Sequence, residues 1–201
     1  IGAFVLAILS LSAVPRQFFP SSDRPELLVD LTLPQNSSIY ASERAVSELE
    51  SALAEDEEIA SWSTYIGQGA IRFYLPLDVQ LPNPFFSQFV IIAKDVEARE
   101  RLQTRLEDLL AEKFPQAIGR VSPLELGPPV GWPVQYRVSG PSLDKVREVA
   151  LEVAQIMATD SNLRRINYDW MEPSRVVRIV IDQDQARLLG LSSDSVGAVI
   201  N

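Results

Sequence analysis

The sequence predicts an α+β protein: a ferredoxin-like split βαβ unit followed by a second, incomplete α+β unit. Three observations predict it. Hydrophobic periodicity switches between two and about 3.6 residues in the order β-α-β-β-α-β across residues 26–126. Turn and helix-capping residues stand at the switches. The 201 residues are 46% hydrophobic and 22% charged, a balance that sustains a packed core.

The elements follow in order. Leu27, Val29, Leu31 and Leu33 alternate with Asp30 and Thr32, so 26–33 reads as a half-buried strand. Pro34-Gln35-Asn36-Ser37-Ser38 is a turn that ends in a helix cap. The first helix then runs to about residue 57, with Ala45, Val46, Leu49 and Leu53 on one face. The acidic run at 55–58 closes it. Neighbouring carboxylates on a helix point in different directions, so the run reads as a solvated helix end and not as a cation site. A second strand spans 59–66. A third spans 87–94, and its centre, Phe89-Val90-Ile91-Ile92, marks burial on both faces. Asp95 caps a second helix striped by Leu102, Leu106, Leu109 and Leu110, which ends near Phe114-Pro115. A fourth strand lies within 117–126.

Gly127-Pro128-Pro129-Val130-Gly131 is a hinge, after which the cycle restarts. Residues 134–139 alternate as a strand. Ser142 caps a third helix with Leu143, Val146, Ala150, Val153 and Met157 on one face. Residues 165–170 alternate again, with Ile166, Tyr168 and Trp170 on one side, and Glu172-Pro173 turns the chain into a last strand over 175–182. A short helix holding Ala186, Leu188 and Leu189 stops at Gly190, and another begins at Ser192. This unit has no closing helix and strand of the first unit's kind. A sheet left in that state buries little apolar surface, which predicts a domain that continues beyond residue 201.

Residues 1–14, IGAFVLAILSLSAV, carry no charge. As a helix they reach roughly 20 Å, against about 30 Å for a bilayer core. Three readings stand: a signal-peptide core, which would lack its basic leader; a buried core helix; and the C-terminal end of a transmembrane helix. Arg16 and Phe18-Phe19 follow, as expected where a helix leaves a membrane. Pro15, Pro20 and Pro25 make the next stretch an extended connector.

Composition excludes several function classes. A net charge of −9 repels duplexes and anionic membrane surfaces, and Arg164-Arg165 has no interleaved aromatics, so nucleic acid is not an expected partner. The chain has neither Cys nor His, which removes thiol chemistry, Ser-His-Asp catalysis and His-ligated zinc. No catalytic residue, metal ligand or cofactor site is assigned. Asp182 and Asp184 lack the glycine and distal glutamate of a calcium loop. Trp62, Trp132 and Trp170 read as core or interface residues.

The most unusual segment is YIGQGAIRFYLPLDVQLPNPFF, residues 65–86. It is too long for an ordinary connection and too rich in large apolar residues for a disordered one. Gly67 and Gly69 supply conformational freedom, but GQG lacks the lysine of a phosphate loop. Two readings stand: a flap lining an apolar ligand pocket, and a long hairpin connection whose aromatics rest on the sheet.

Five ordered segments carry a resemblance: FFPSSDRPELLVDLTLP at 18–34, GQGAIRFYLPL at 67–77, GPPVGWPVQYRVSGP at 127–141, NYDWMEPSRVVRIVID at 167–182 and QARLLGLSSDSV at 185–196. The chain resembles the segment after the seventh transmembrane helix of RND (resistance-nodulation-division) efflux pumps of the AcrB/AcrD/AcrF type, over essentially its whole length. The resemblance implies the end of a transmembrane helix plus linker at 1–17. It implies a first porter subdomain of the C-terminal half at 18–130, part of a second at 131–172, and the start of a docking subdomain at 173–201.

It further implies a trimeric, proton-driven inner-membrane antiporter of a Gram-negative bacterium, with this segment in the periplasm. Its expected partners are amphiphilic substrates, a periplasmic adaptor and an outer-membrane channel. The family's proton-relay residues lie outside this sequence. Carried over by position, Tyr65, Gly67, Gly69, Phe73, Tyr74 and Phe89 become substrate-binding candidates, with Arg72 to orient anionic groups. The stretch PLDVQLPNPF makes this loop longer than in drug pumps of the family. Two alternatives stand beside multidrug export: an exporter dedicated to one lipid or metabolite, and an acylphosphatase-like enzyme. The enzyme would require an arginine loop, and residues 34–38 offer no arginine.

Overall fold

The computed structural model describes residues 10, 22–128, 131–170 and 172–200. The apolar segment at 1–17 therefore lies outside the described residues, apart from Ser10. Among the described residues, no helix is long and apolar enough to cross a membrane.

Strands β1 (Glu26–Thr32), β2 (Ile59–Ile66), β3 (Phe86–Ala93) and β4 (Ile118–Pro123) form one sheet, in the order β2-β3-β1-β4. All neighbours run antiparallel. Helix α1 (Ile39–Leu53) joins β1 to β2, and α2 (Val96–Lys113) joins β3 to β4. This is the expected split βαβ arrangement: β3 sits between β1 and β2, and β1 between β3 and β4. Side-chain alternation then divides the sheet into two faces. Leu27, Val29, Leu31, Phe89, Ile91 and Val121 point to the helices and meet Val46, Leu49, Leu53, Leu102, Leu106 and Leu110. Each fully buried Leu, Ile or Phe contributes about 1.5–3 kcal/mol.

Both expected caps are in place. The Ser38 hydroxyl accepts from Ala41 N at 3.3 Å, and Asp95 Oδ1 accepts from Ala98 N at 2.7 Å. Helix α1 stops at Leu53, short of the predicted residue 57, because the chain folds into a turn. There Asp56 N donates to Leu53 O, and Asp56 Oδ1 accepts from Glu58 N. The acidic run is also more than a solvated end. Asp56 takes Arg105 of α2 at 2.7 Å, and Glu58 takes both Arg105 and Arg101 at 2.6 Å. Those guanidiniums hold the Glu58 carboxyl below its ordinary range. Arg99 of α2 is buried and donates to the Ser22 and Arg24 carbonyls, which ties the chain entering β1 to the helix layer.

The later half departs from expectation. Helices α3 (Leu143–Met157), α4 (Gln183–Leu188) and α5 (Ser193–Ile200) form where predicted, with Ser142 and Asp182 as caps of the first two. The strands expected at 134–139, 165–170 and 175–182 do not form. An alternating segment becomes a strand only when a neighbour completes its hydrogen-bond ladder. Val177 is 91% exposed, and Val176 and Val180 are exposed beside it. Arg165 has φ +55°, which breaks the second run. No residue of α3 is buried, and Trp170 is exposed rather than packed at an interface. Polar contacts join this half to the sheet unit: Gln35 N donates to Glu172 Oε1 at 3.0 Å, and Arg165 pairs with Glu107 at 2.9 Å.

Candidate functional site

Residues 67–85 join β2 to β3 and fold back over the sheet face that the helices leave uncovered. Gly67 begins the return with φ +73°. That left-handed backbone favours glycine, and a Cβ there would also push on the Ile39 Cδ1 methyl, 2.5 Å away at the end of its side chain. The neck is closed by main-chain bonds: Gly67 N to Phe86 O and Asn83 N to Gly67 O, both 2.8 Å. Gly69 lies so near Gln80 that a Cβ would approach the Gln80 Cβ to 2.8 Å.

The inner side of the loop is anchored twice. Leu77 is buried with Leu28 and Leu124 in a second small core, flanked by Tyr74 and Val90. Ala70, also buried, donates its N–H to Gln88 Oε1 at 2.7 Å. Gln88 Nε2 in turn donates to Asp30 Oδ1 at 2.7 Å. Burial under the loop raises the Asp30 pKa, against the opposing pull of the Gln88 hydrogen bond and the charge of Arg120. Burial likewise raises the Tyr74 phenol, whose oxygen meets the Glu125 main chain.

The outer side of the loop is apolar and open. Leu75 is 84% exposed and Leu81 80%, with Ile71, Phe73 and Val79 exposed beside them. The Phe73 and Tyr74 rings lie 5.5 Å apart at 44°. Residues 78–85 outline a cavity of about 510 Å³ at the loop's far end. A second cavity, about 440 Å³, lies where the end of α2 and the start of β4 meet Trp132 and residues 165–168. The two readings of the loop therefore describe its two sides: the inner residues rest on the sheet, and the outer ones face solvent.

Of the sequence candidates, Tyr65, Gly67, Gly69, Arg72, Phe73 and Tyr74 lie on the loop or at its root. Tyr65 stands opposite Gln88 in the β2–β3 register, and so on the loop side. Phe89 does not join them. It is 0% exposed within the helix-side core, on the opposite face of the sheet. Asp30, Gln88, Ala70 and Leu77 were not singled out as site residues. The available signal was a glutamine inside a strand that reads as buried on both faces.

No curated protein matches the sequence. Among solved structures, the chain is similar to an X-ray crystal structure of a heavy metal efflux pump in two crystal forms. Form I superposes with a TM-score of 0.60 at 18% identity, over 99% of this chain and 22% of that one. Form II gives 0.57 at 18% identity, over 95% and 21%. This chain thus spans about a fifth of the length of those structures, and at this identity the likeness is one of fold. A sequence model described as the AcrB/AcrD/AcrF family matches residues 1–201.

Proposed function

Because the chain belongs to the AcrB/AcrD/AcrF family, we propose that it forms porter segments of a proton-driven RND exporter, with residues 67–85 bordering the path of amphiphilic substrates. One observation carries the reading. The loop is fastened to the sheet by its inner side and turns Ile71, Phe73, Leu75, Val79 and Leu81 outward. Such a surface holds greasy molecules through contact area and asks little of their polar groups. Arg72, exposed on the same loop, adds attraction for an anionic head.

The similar solved structures are of a heavy metal efflux pump, yet metal cargo finds few ligands here. Soft and borderline metals are held by Cys, His and Met. This chain has no Cys, no His and two Met. That composition favours an apolar cargo along this segment.

In this reading, residues 1–17 end a transmembrane helix, 18–130 and 131–172 belong to two porter subdomains, and 173–201 open a docking subdomain. The protein works as a homotrimer in the inner membrane, with this segment in the periplasm, beside an adaptor and an outer-membrane channel. An exporter of one lipid or metabolite would use the same fold.

The test is export by Phe73→Ala and Tyr74→Ala variants of the intact protein. Reduced export of large amphiphiles at unchanged abundance supports the assignment. Wild-type export by both overturns it. Unchanged susceptibility of a deletion strain to dyes, detergents, bile salts and antibiotics counts against multidrug export.

A further inference from the structure

One polar row crosses all four strands on the loop side of the sheet. Arg120 of β4 stands opposite Asp30 of β1, Asp30 opposite Gln88 of β3, and Gln88 opposite Tyr65 of β2. Cross-strand partners share a face, so these side chains lie side by side. The adjacent row on that face is apolar at its centre, where Leu28 pairs with Val90, and ends in Ser122 of β4 and Ser63 of β2. Burying a carboxylate and an amide here costs desolvation that a second pair of aliphatic side chains would avoid.

The two ends of the row hold different things. At one end Gln88 grips the loop through Ala70 N. At the other, Arg120 Nη2 donates to Gly131 O at 2.8 Å, and its guanidinium lies 5.6 Å from the Trp132 ring centroid. Gly131 and Trp132 begin the segment leading away from the sheet unit. Between the ends, Asp30 is hydrogen-bonded to Gln88 and attracted by Arg120. Asp78 of the loop repels the same carboxylate.

We propose that this row couples the 67–85 loop to the hinge at 131–132, so that displacing the hinge from Arg120 loosens the hold of Gln88 on Ala70. The coupling needs no movement of the sheet. Arg120 holds the hinge and steadies the Asp30 carboxylate that orients Gln88. When the hinge leaves, Arg120 retains Glu125 at 3.9 Å and can shift toward it, so the Asp30 carboxylate that holds Gln88 Nε2 loses part of its attracting charge.

The test is amide hydrogen exchange in the intact protein, comparing wild type with Trp132→Ala, Arg120→Met and Gln88→Leu. Trp132→Ala is the deciding variant, because it touches neither the loop nor Asp30. Exchange at Gly69 and Ala70 is expected to quicken roughly two- to fivefold in Trp132→Ala, the range set by an exposed cation–π contact. Arg120→Met should quicken it at least as much, with β1 and β3 amides still protected. Wild-type exchange at Ala70 in Trp132→Ala, alongside faster exchange in Gln88→Leu, would overturn the coupling and leave only a local anchor. Should Arg120→Met loosen the whole sheet, Trp132→Ala alone decides.

Discussion

The main-chain N–H of Ala70 donates to Oε1 of Gln88 at 2.7 Å, and both residues are almost fully buried. One side-chain amide thus joins the Leu77 cluster and the main-chain neck in fixing where a 19-residue connection lies, from residue 67 to 85. The bond also fixes which side of the loop meets solvent. With Ala70 and Leu77 turned inward, Ile71, Phe73 and Leu75 are left outside.

Gln88→Leu should free the loop without unfolding the sheet. Leucine fills a similar volume but leaves Ala70 N and the Asp30 carboxylate without their partner. A buried polar group stripped of its hydrogen bond costs about 1–3 kcal/mol. Urea unfolding is expected to show a loss of that order, with limited proteolysis cutting first within 67–85. A variant as stable and as protease-resistant as wild type would mean that the Leu77 cluster alone holds the loop.

Asp30→Asn should show its effect through pH. Burial lifts the Asp30 pKa above its ordinary 3.8, so the folded protein binds that proton more tightly than the unfolded chain does. The stabilisation is complete below the unfolded value and is lost as pH rises through the folded one. Asparagine keeps an acceptor for Gln88 Nε2 and carries no charge. The variant should therefore gain on wild type as pH rises above the ordinary carboxyl value of 3.8, in the upward direction only. Urea midpoints of both proteins along that rise check it. A constant difference, or one that grows toward acid, would contradict the burial of this carboxyl.

The first four strands and two helices were legible because each change of period coincides with a cap or turn that acts locally. Ser38 and Asp95 close their helices through bonds to residues three positions on. The runs at 134–139 and 175–182 show the same alternation, but a pattern reports a preference for one face, not the presence of a partner strand. Asp30 was legible only as the polar side of a strand. Its partial burial comes from a loop that returns from some forty residues away, which periodicity does not encode. Phe89 is carried over by position from the family resemblance, and a position along the chain does not say which face of the sheet a side chain takes; here it lies in the helix-side core.

Arg99→Met tests how the chain is fastened where it enters the sheet. The guanidinium gives hydrogen bonds to the Ser22 and Arg24 carbonyls from a buried position. Methionine keeps the aliphatic packing and removes the donors. Hydrogen bonds from a charged group contribute about 1.5–3 kcal/mol, and the loss should fall in that range. Faster exchange at Ser22 N, which bonds Leu124 O at 3.0 Å, would accompany it. An unchanged unfolding midpoint would show that water replaces the arginine at no cost.

Phe89 and Phe73 separate packing from binding. Phe89 lies fully buried beneath the helices, while Phe73 sits on the open side of the loop. Removing a core phenylalanine costs about 3–5 kcal/mol, whereas an exposed one away from special contacts changes stability by roughly 0.5 kcal/mol or less. Phe89→Ala should therefore lower the amount of folded protein and depress export of every substrate in proportion. Phe73→Ala should leave abundance alone and change the ratio between large and small substrates. Measuring abundance, unfolding midpoint and that ratio for both variants gives the contrast. A shifted ratio in Phe89→Leu at normal abundance would return Phe89 to the substrate path and undo the assignment of the two sheet faces.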